Sequence, residues 1–421
     1  MSERSYADLI ADCVHCGFCL PACPTYRSWG LEMDSPRGRI DLMKGLDEGA
    51  IALSPAVVSH FDRCLGCMAC VTACPSGVRY DRLIEATRAN VEKKTHRSPF
   101  DRFFRELVFA LFPYPRRLET LKPLLAAYTR SGLRATVRAS GLLRLLPPRL
   151  AQLAELAPSS FEREELPELT PAKGTARKRV ALLAGCVQRV FFPNVNAATI
   201  RVLSAEGCQV RVPQGQGCCG ALSLHSGRAE EAKRFARALI DRFESEDADA
   251  IVVNAAGCGS SMKEYGDLFA DDAQYREKAA RFAAKVRDVS EFLAELDPQA
   301  PRGEIEARVA YHDACHLAHA QRIRAQPRAL LRTIPGIELL EIPDGDQCCG
   351  SAGTYNLFEP ESAHEIGERK ASNVLATGAN ILVSANPGCT LQIQSMLRAR
   401  NRTIESAHPV ELLDRSIQLG Q

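Results

Sequence analysis

Cys13-Val-His-Cys16-Gly-Phe-Cys19-Leu-Pro-Ala-Cys23-Pro24 and Cys64-Leu-Gly-Cys67-Met-Ala-Cys70-Val-Thr-Ala-Cys74-Pro75 are two copies of one pattern, C-x2-C-x2-C-x3-C-P. That spacing wraps a cubane [4Fe–4S] cluster. Three cysteines in a tight loop present their sulfurs to three irons of one cube, and the fourth, turned away by the proline behind it, serves the other cluster in two-cluster proteins. The expected ligand sets are therefore crossed: Cys13, Cys16, Cys19 and Cys74 for one cluster, and Cys23, Cys64, Cys67 and Cys70 for the other. Structural zinc is the competing reading, but it usually takes its ligands as two separated pairs, which does not suit this doubled pattern. Met1–Asp12 carries no apolar signal segment, so export and disulfides are not expected.

Working outward, 40 residues, Pro24 to Arg63, separate the two runs. Pro36-Arg37-Gly38-Arg39 reads as a turn feeding a helix, with Ile40, Leu42 and Met43 on its apolar side. Arg37 and Arg39 are candidates to balance the charge of a reduced cluster or of an acidic partner surface, against the plainer reading of solvated arginines. A long helical insert of this kind is similar to the α-helical ferredoxin modules of respiratory iron–sulfur subunits. Asp81 to Glu92 follows as an amphipathic helix expected to pack under the second cluster.

Residues 97–150 change character. They hold eleven Arg/Lys against three acidic residues, with Phe103, Phe104, Leu107, Val108, Leu111 and Phe112 at helical spacing. A basic amphipathic stretch suits an anionic membrane surface, a partner subunit or simple packing between domains. Residues 151–178, with Pro158-Ser-Ser, Glu162 to Glu168 and Pro171-Ala-Lys-Gly-Thr, read as a linker.

From Arg179 onward the chain repeats itself. Cys186, the Cys218-Cys219-Gly220 run and Cys258 recur as Cys315, Cys348-Cys349-Gly350 and Cys389, at offsets of 129, 130 and 131 residues. This is a duplicated domain. Short β-branched runs (Val180–Leu183, Ile251–Val253, Ile381–Val383) lead to the matched cysteines, and helical stretches such as Glu230–Phe243 and Ala363–Leu375 follow. The pattern predicts α/β units with parallel sheets and ligands outside the strand carboxyl ends. Cys186, Cys218, Cys219 and Cys258 are expected at one site, and Cys315, Cys348, Cys349 and Cys389 at a second. An iron–sulfur cluster, a zinc ion and a redox disulfide across each vicinal pair all remain open for them. The glycine after each pair suits close backbone approach or a strained turn. Cys208, without a counterpart, reads as core. His312, His316 and His319 surround Cys315, and backbone-satisfied histidines are preferred there over metal ligands.

The whole chain bounds the function. Its 421 residues suggest two or three domains, and 46% hydrophobic and 25% charged residues describe a globular protein. A net charge of +2 gives no argument for nucleic acid, and no apolar run approaches the ~20 residues of a spanning helix. Gly215-Gln-Gly217-Cys-Cys-Gly220 matches G-x-G-x-x-G, but no acidic strand end follows at dinucleotide spacing. The fold expected is an α-helical two-cluster ferredoxin domain (1–96), a basic helical connector and linker (97–178), and two α/β Cys-Cys-Gly repeats (179–300 and 301–421).

Cys13-Val-His-Cys-Gly-Phe-Cys, Pro36-Arg-Gly-Arg, Cys74-Pro-Ser-Gly-Val-Arg-Tyr80, Lys263-Glu-Tyr-Gly266 and Cys348-Cys-Gly-Ser-Ala-Gly-Thr-Tyr355 resemble, essentially end to end, the family of iron–sulfur subunits of bacterial glycolate oxidase (glycolate dehydrogenase). Relatives of that family include heterodisulfide reductase, the iron–sulfur subunit of anaerobic glycerol-3-phosphate dehydrogenase and lactate-utilisation proteins. The resemblance implies FAD-containing partner subunits that oxidise glycolate to glyoxylate. This chain would carry the electrons through two [4Fe–4S] clusters, and a third metal centre in the repeats if one is bound, to a quinone or other acceptor. The complex is expected in the cytoplasm, with peripheral contact at the inner face of the cell membrane as the alternative that the basic stretch 97–150 leaves open. Alternatives are an iron–sulfur subunit for lactate or glycerol-3-phosphate, or a disulfide-reducing enzyme. In the heterodisulfide reductases a fifth cysteine completes the final motif. Here Gly259-Ser-Ser follows Cys258 and Thr390-Leu-Gln follows Cys389, which counts against that chemistry.

Overall fold

The computed structural model describes residues 4–158, 161 and 164–421. Up to Lys94 the described chain is helical, and Ser-Pro pairs set several of its helix starts. Ser35, Ser54 and Ser98 cap Pro36–Asp47, Pro55–Asp62 and Pro99–Leu111, each side chain accepting the N–H three residues on while proline fills the first turn. Proline loses nothing there, because a first-turn N–H has no intrahelical partner. The helix expected after the second cysteine run spans Tyr80–Lys94. Its Tyr80, Leu83, Ile84 and Val91 join Ile40, Met43 and Phe61 around Cys64 and Cys70. The second cysteine loop is thereby embedded in the domain core.

The connector opens with Pro99–Leu111. One face buries Phe104, Val108 and Phe109 against Leu357 and Phe358 of the second repeat. The opposite face leaves Phe100, Phe103 and Leu107 in water. Helices Pro115–Arg130, Leu133–Ala139 and Pro148–Glu155 follow. The linker read at 151–178 holds more structure than its composition suggested: it ends helix Pro148–Glu155 and includes a strand. Within it residues 159, 160, 162 and 163 lie outside the described residues.

Nine strands are described: β1 (Leu169–Thr170), β2 (Lys178–Leu183), β3 (Cys208–Arg211), β4 (Ala250–Val253), β5 (Val286–Asp288), β6 (Ala307–His312), β7 (Ile337–Glu341), β8 (Ile381–Ser384) and β9 (Glu405–Ala407). They form two sheets ordered β1-β3-β2-β4-β5 and β7-β6-β8-β9. Apart from the antiparallel edge strand β1, all pairs are parallel, and β3-β2-β4-β5 matches β7-β6-β8-β9 one for one. The duplication is therefore structural.

Strand alternation divides the core. Val180, Leu182 and Val252 of the first sheet and Val309, Tyr311 and Val383 of the second share one cluster between the repeats. Their neighbours Ala181, Leu183 and Val253 face a second cluster, and Ala310 and Leu382 a third. Full burial of each large aliphatic chain contributes about 1.5–3 kcal/mol, so the shared face holds the repeats as one body. Arg201 on helix Pro193–Ala205 adds a bidentate pair with the buried Asp414 on helix Pro409–Gly420, at 3.1 and 2.7 Å. Cys208 is fully buried in this shared core, as read.

Candidate iron–sulfur and thiol sites

Both ferredoxin loops turn back on themselves at the same two positions. In the first, His15 and Gly17 have φ of 52° and 86°; in the second, Gly66 and Met68 have 63° and 61°. Left-handed backbone costs a non-glycine residue about 1–2 kcal/mol, so each loop keeps one glycine and accepts strain at the other position. Cys23 and Cys74, held extended by the prolines that follow, share nearly one backbone conformation, φ −86° and −82°, ψ 117° and 115°.

The placement of the thiols follows. Cys23, Cys64, Cys67 and Cys70 line a single cavity together with Arg39 and Tyr80. Cys13 has the charges of Cys74 and Cys16 as neighbours, and Cys19 those of Cys13 and Cys23. Cys23, Cys64, Cys67 and Cys70 are all buried, whereas Cys16 is exposed and Cys13, Cys19 and Cys74 are half-buried. Val14 and Phe18 beside Cys16 are exposed as well. One set is an inner site and the other an outer one.

Burial pushes the Cys19 thiol up to about 11, and those of Cys67 and Cys70 well above their ordinary value. Cys64 goes the other way. Burial raises it, but the guanidinium groups of Arg39 and Arg88, the Gly66 N–H and the Tyr80 hydroxyl outweigh burial and favour the thiolate. Arg39 is neither solvated nor on a partner surface. It is 1% exposed and donates to Asp34 O at 2.7 Å and His60 O at 2.6 Å. Asp34 also takes His60 Nδ1 at 2.9 Å and Arg63 at 3.2 Å. Arg37 pairs with Glu32 at 2.6 Å and reaches the His15 carbonyl at 3.1 Å. Four thiols around a buried cation form a pocket suited to an anionic iron–sulfur cluster rather than to disulfides.

Each repeat brings its four cysteines together beyond the carboxyl ends of adjacent strands, β2 and β4 or β6 and β8, where the chain's crossovers diverge. Cys186 Sγ lies 3.6 Å from Cys218 Sγ, Cys218 meets Cys219, and Cys219 meets Cys258. Hydrogen bonds from Cys218 and Cys258 depress Cys219 well below the usual thiol value, making it the favoured thiolate of the first repeat. In the second, Cys315, Cys348, Cys349 and Cys389 form the same chain. Gly220 and Gly350 have φ of 81° and 88°, and a Cβ would fall 2.9 Å from Ala232 O and 2.6 Å from Ala363 O. Both readings of that glycine, close approach and left-handed turn, hold.

The histidines divide. His316 Nε2 donates to Gly66 O at 3.0 Å, which leaves Nδ1 to accept from Ser260 Oγ at 2.9 Å. His319 contacts Asp346 O at 3.0 Å and Thr72 Oγ1 at 2.5 Å. These two are satisfied, as preferred. His312 is fully buried, and neither ring nitrogen has a partner. The His316 ring stands edge-on to His225, centroids 4.8 Å apart, and His225 Nδ1 lies 3.2 Å from Glu85. Arg88 donates to Cys64 O and, at 2.9 Å, to His225 O. Leu65, Cys67 and Ala69 of the inner loop pack with Cys315 and Cys348 in one apolar cluster. Sequence reasoning missed this junction of ferredoxin loop and repeats. Its partners lie as much as 250 residues apart, and no local spacing signals them.

Among the described residues no helix is long and apolar enough to cross a membrane. Family comparison divides the chain along the same lines. Residues 10–78 match the 4Fe-4S dicluster domain. Residues 100–157 match the linker region of the glycolate oxidase iron-sulfur subunit. Residues 180–263 and 309–394 match the cysteine-rich domain. The chain is 39% identical over 420 residues to the probable glycolate oxidase iron-sulfur subunit of Bacillus subtilis (strain 168), covering 98% of this chain and 95% of that protein. It is 35% identical to the glycolate oxidase iron-sulfur subunit of Escherichia coli (strain K12), covering 97% and 95%. Lactate utilization protein A of Shouchella clausii (strain KSM-K16) is 32% identical over 56% of this chain and 98% of its own. Two dicluster loops, a dedicated linker and paired cysteine-rich repeats in this order, with similarity over nearly the full length, place the chain in the family of glycolate oxidase iron–sulfur subunits.

Proposed function

We propose that the chain is the electron-transfer subunit of a flavin-dependent glycolate dehydrogenase complex, in which FAD-containing partners oxidise glycolate to glyoxylate and this chain passes the electrons to a quinone or another acceptor. The observation that carries the reading is the graded placement of two four-thiol sets, one open to solvent and one buried against the thiols of the second repeat. Cys13, Cys16, Cys19 and Cys74 hold the outer [4Fe–4S] cluster, and Cys23, Cys64, Cys67 and Cys70 the inner one. Bound clusters supply one-electron carriers. The protein's part is electrostatic and steric. Arg39, Arg88, Tyr80 and the Gly66 N–H offset negative charge at the inner set, and the packed helices keep water from it. Val14 and Phe18, exposed beside Cys16, suit the docking of the electron-donating subunit.

Full-length similarity favours glycolate over lactate as the substrate of the complex, because the lactate-utilisation relative matches only 56% of this chain. The complex works on the cytoplasmic side. The outer face of helix Pro99–Leu111, with exposed Phe100 and Phe103, and the basic charge of residues 97–150 suit peripheral contact with an anionic membrane. The test is glycolate-dependent reduction of the native acceptor by the assembled complex. Cys16→Ser and Cys67→Ser should each abolish it while the flavoprotein subunits still copurify. Full acceptor reduction by the flavoprotein subunits without this chain contradicts the reading.

A further inference from the structure

The two repeats superpose in topology but differ at two buried positions beside the thiols. Strand β2 ends on Leu183 and its counterpart β6 ends on His312, and both side chains are buried. Gly220 abuts Ala232 and Gly350 abuts Ala363, which aligns the following helices, Ala229–Glu244 and Pro360–Ala376, and pairs Leu239 with Lys370. The first repeat thus closes its thiol set with two aliphatic side chains. The second replaces them with an imidazole and an ammonium.

Local hydrogen bonding accounts for the lysine but not for the histidine. His312 has no partner at either ring nitrogen, although a buried imidazole without partners is costly. Lys370, 2% exposed, donates to Asp344 O at 2.8 Å and Gly345 O at 3.1 Å, and its charge acts on Cys349 and Cys348. One ring nitrogen of His312 and the sulfurs of Cys349 and Cys389 all lie within 4.8 Å of one another. Among the described residues no other group of three such ligand types meets that spacing. Asn386 Nδ2 also donates to Cys389 Sγ at 3.4 Å, the kind of outer contact that orients a metal-binding thiolate.

We propose that His312, Cys349 and Cys389 bind one zinc ion in the second repeat, with the neighbouring Cys348 thiol available for the fourth position. Tetrahedral zinc takes nitrogen and sulfur ligands together, at about 2.0–2.3 Å from the ion, which brings the ligand atoms to within about 4 Å of one another. Two thiolates neutralise the ion, a third leaves one negative charge, and the ammonium of Lys370 is placed to offset it. Zinc has no redox chemistry of its own. The site therefore anchors the second repeat against the inner cluster loop through Cys315 and Cys348 and adds no third electron carrier. The inference deepens the proposed function by naming the ion held in the second repeat, and its test is separable from that of the relay.

The test is zinc and iron content per chain in full-length protein purified without oxygen, with zinc K-edge absorption to count nitrogen and sulfur ligands. The expected result is about one zinc beside about eight irons, with nitrogen in the zinc shell. His312→Leu, which restores the residue of the first repeat, should lose the zinc and keep the iron. His312→Cys should keep the zinc with an all-sulfur shell, an outcome that a purely structural role for the imidazole does not produce. Cys219→Ser, in the first repeat, should leave zinc content unchanged. A zinc-free wild type, an all-sulfur wild-type shell, about twelve irons per chain, or zinc retained in His312→Leu overturns the proposal. Low iron with the expected zinc shell supports it and counts against the two-cluster relay alone.

Discussion

Arg39 illustrates how one side chain serves both stability and electron transfer. Its guanidinium is buried among Asp34, Thr25 and the His60 carbonyl, and the charges of Cys64 and Cys23 help hold it protonated against burial. Arg39→Met would leave the buried Asp34 with Arg63 as its one remaining guanidinium partner. Breaking a buried pair in this way costs about 3–5 kcal/mol, to be read by chemical denaturation. The same variant should make the inner cluster harder to reduce, shifting its potential negative in a spectroelectrochemical titration, while the outer cluster keeps its own. Cys74 gives the second prediction at this scale. If ligation is crossed, Cys74→Ser perturbs the resonance signals of both clusters, since the residue belongs to one cluster by ligation and to the other by its loop; two unchanged signals refute the assignment. The eight ferredoxin thiols were legible because their spacing is local. Arg39 was only half legible: its position beside the turn suggested a charge role, but its burial depends on Asp34 and His60, which no sequence rule pairs with it.

At the scale of elements, the glycine after each vicinal cysteine pair sets how closely loop and helix approach. Gly350→Ala would drive a Cβ to 2.6 Å from the Ala363 carbonyl in a backbone of φ 88°. Gly141, at φ 73°, has nothing within 4 Å of its would-be Cβ. Gly141→Ala should therefore cost only the left-handed penalty of about 1–2 kcal/mol, and Gly350→Ala clearly more. Equal losses in thermal or urea unfolding would mean that the loop relaxes freely. Strands and helices of the repeats were legible from β-branched runs and helical periodicity, and the duplication reinforced each reading with a second copy. Strand β1 was not. Leu169–Thr170 is two residues long and sits in a polar linker, so only its antiparallel pairing with Arg211 and Val210 reveals it. The connector showed its apolar period but not which face is covered. That depends on Phe358, which packs edge-on to Phe104 at 6.2 Å from a distant repeat.

Across the whole molecule, helix Tyr80–Lys94 joins the ferredoxin part to the first repeat through half-buried carboxyls. Burial, and then the charge of Asp81, raises Glu85 to about 7 despite Arg82, Arg88 and Arg79. Burial, and then Glu85, raises Glu264 to about 8. Facing them are His225, in contact with Glu85, and Asp267, paired with Arg82. A carboxyl whose folded pKa lies above its unfolded value of about 4.3 binds its proton more tightly when folded. Its stabilising contribution is complete below that unfolded value and is lost as pH rises through the folded one. Stability at this junction should accordingly fall between pH 5 and pH 8, and Glu85→Gln should flatten the decline and raise the midpoint of thermal unfolding at pH 8. A variant profile parallel to the wild type would remove Glu85 from the account. The same helix carries Arg88, which donates to Cys64 O and His225 O and so ties the inner cysteine loop to the first repeat. The central claim is that this chain carries two cubane clusters in the crossed thiol sets. Iron and acid-labile sulfide per purified chain test it most directly: the account predicts about eight of each, and iron-free protein with zinc bound in the ferredoxin loops would contradict it.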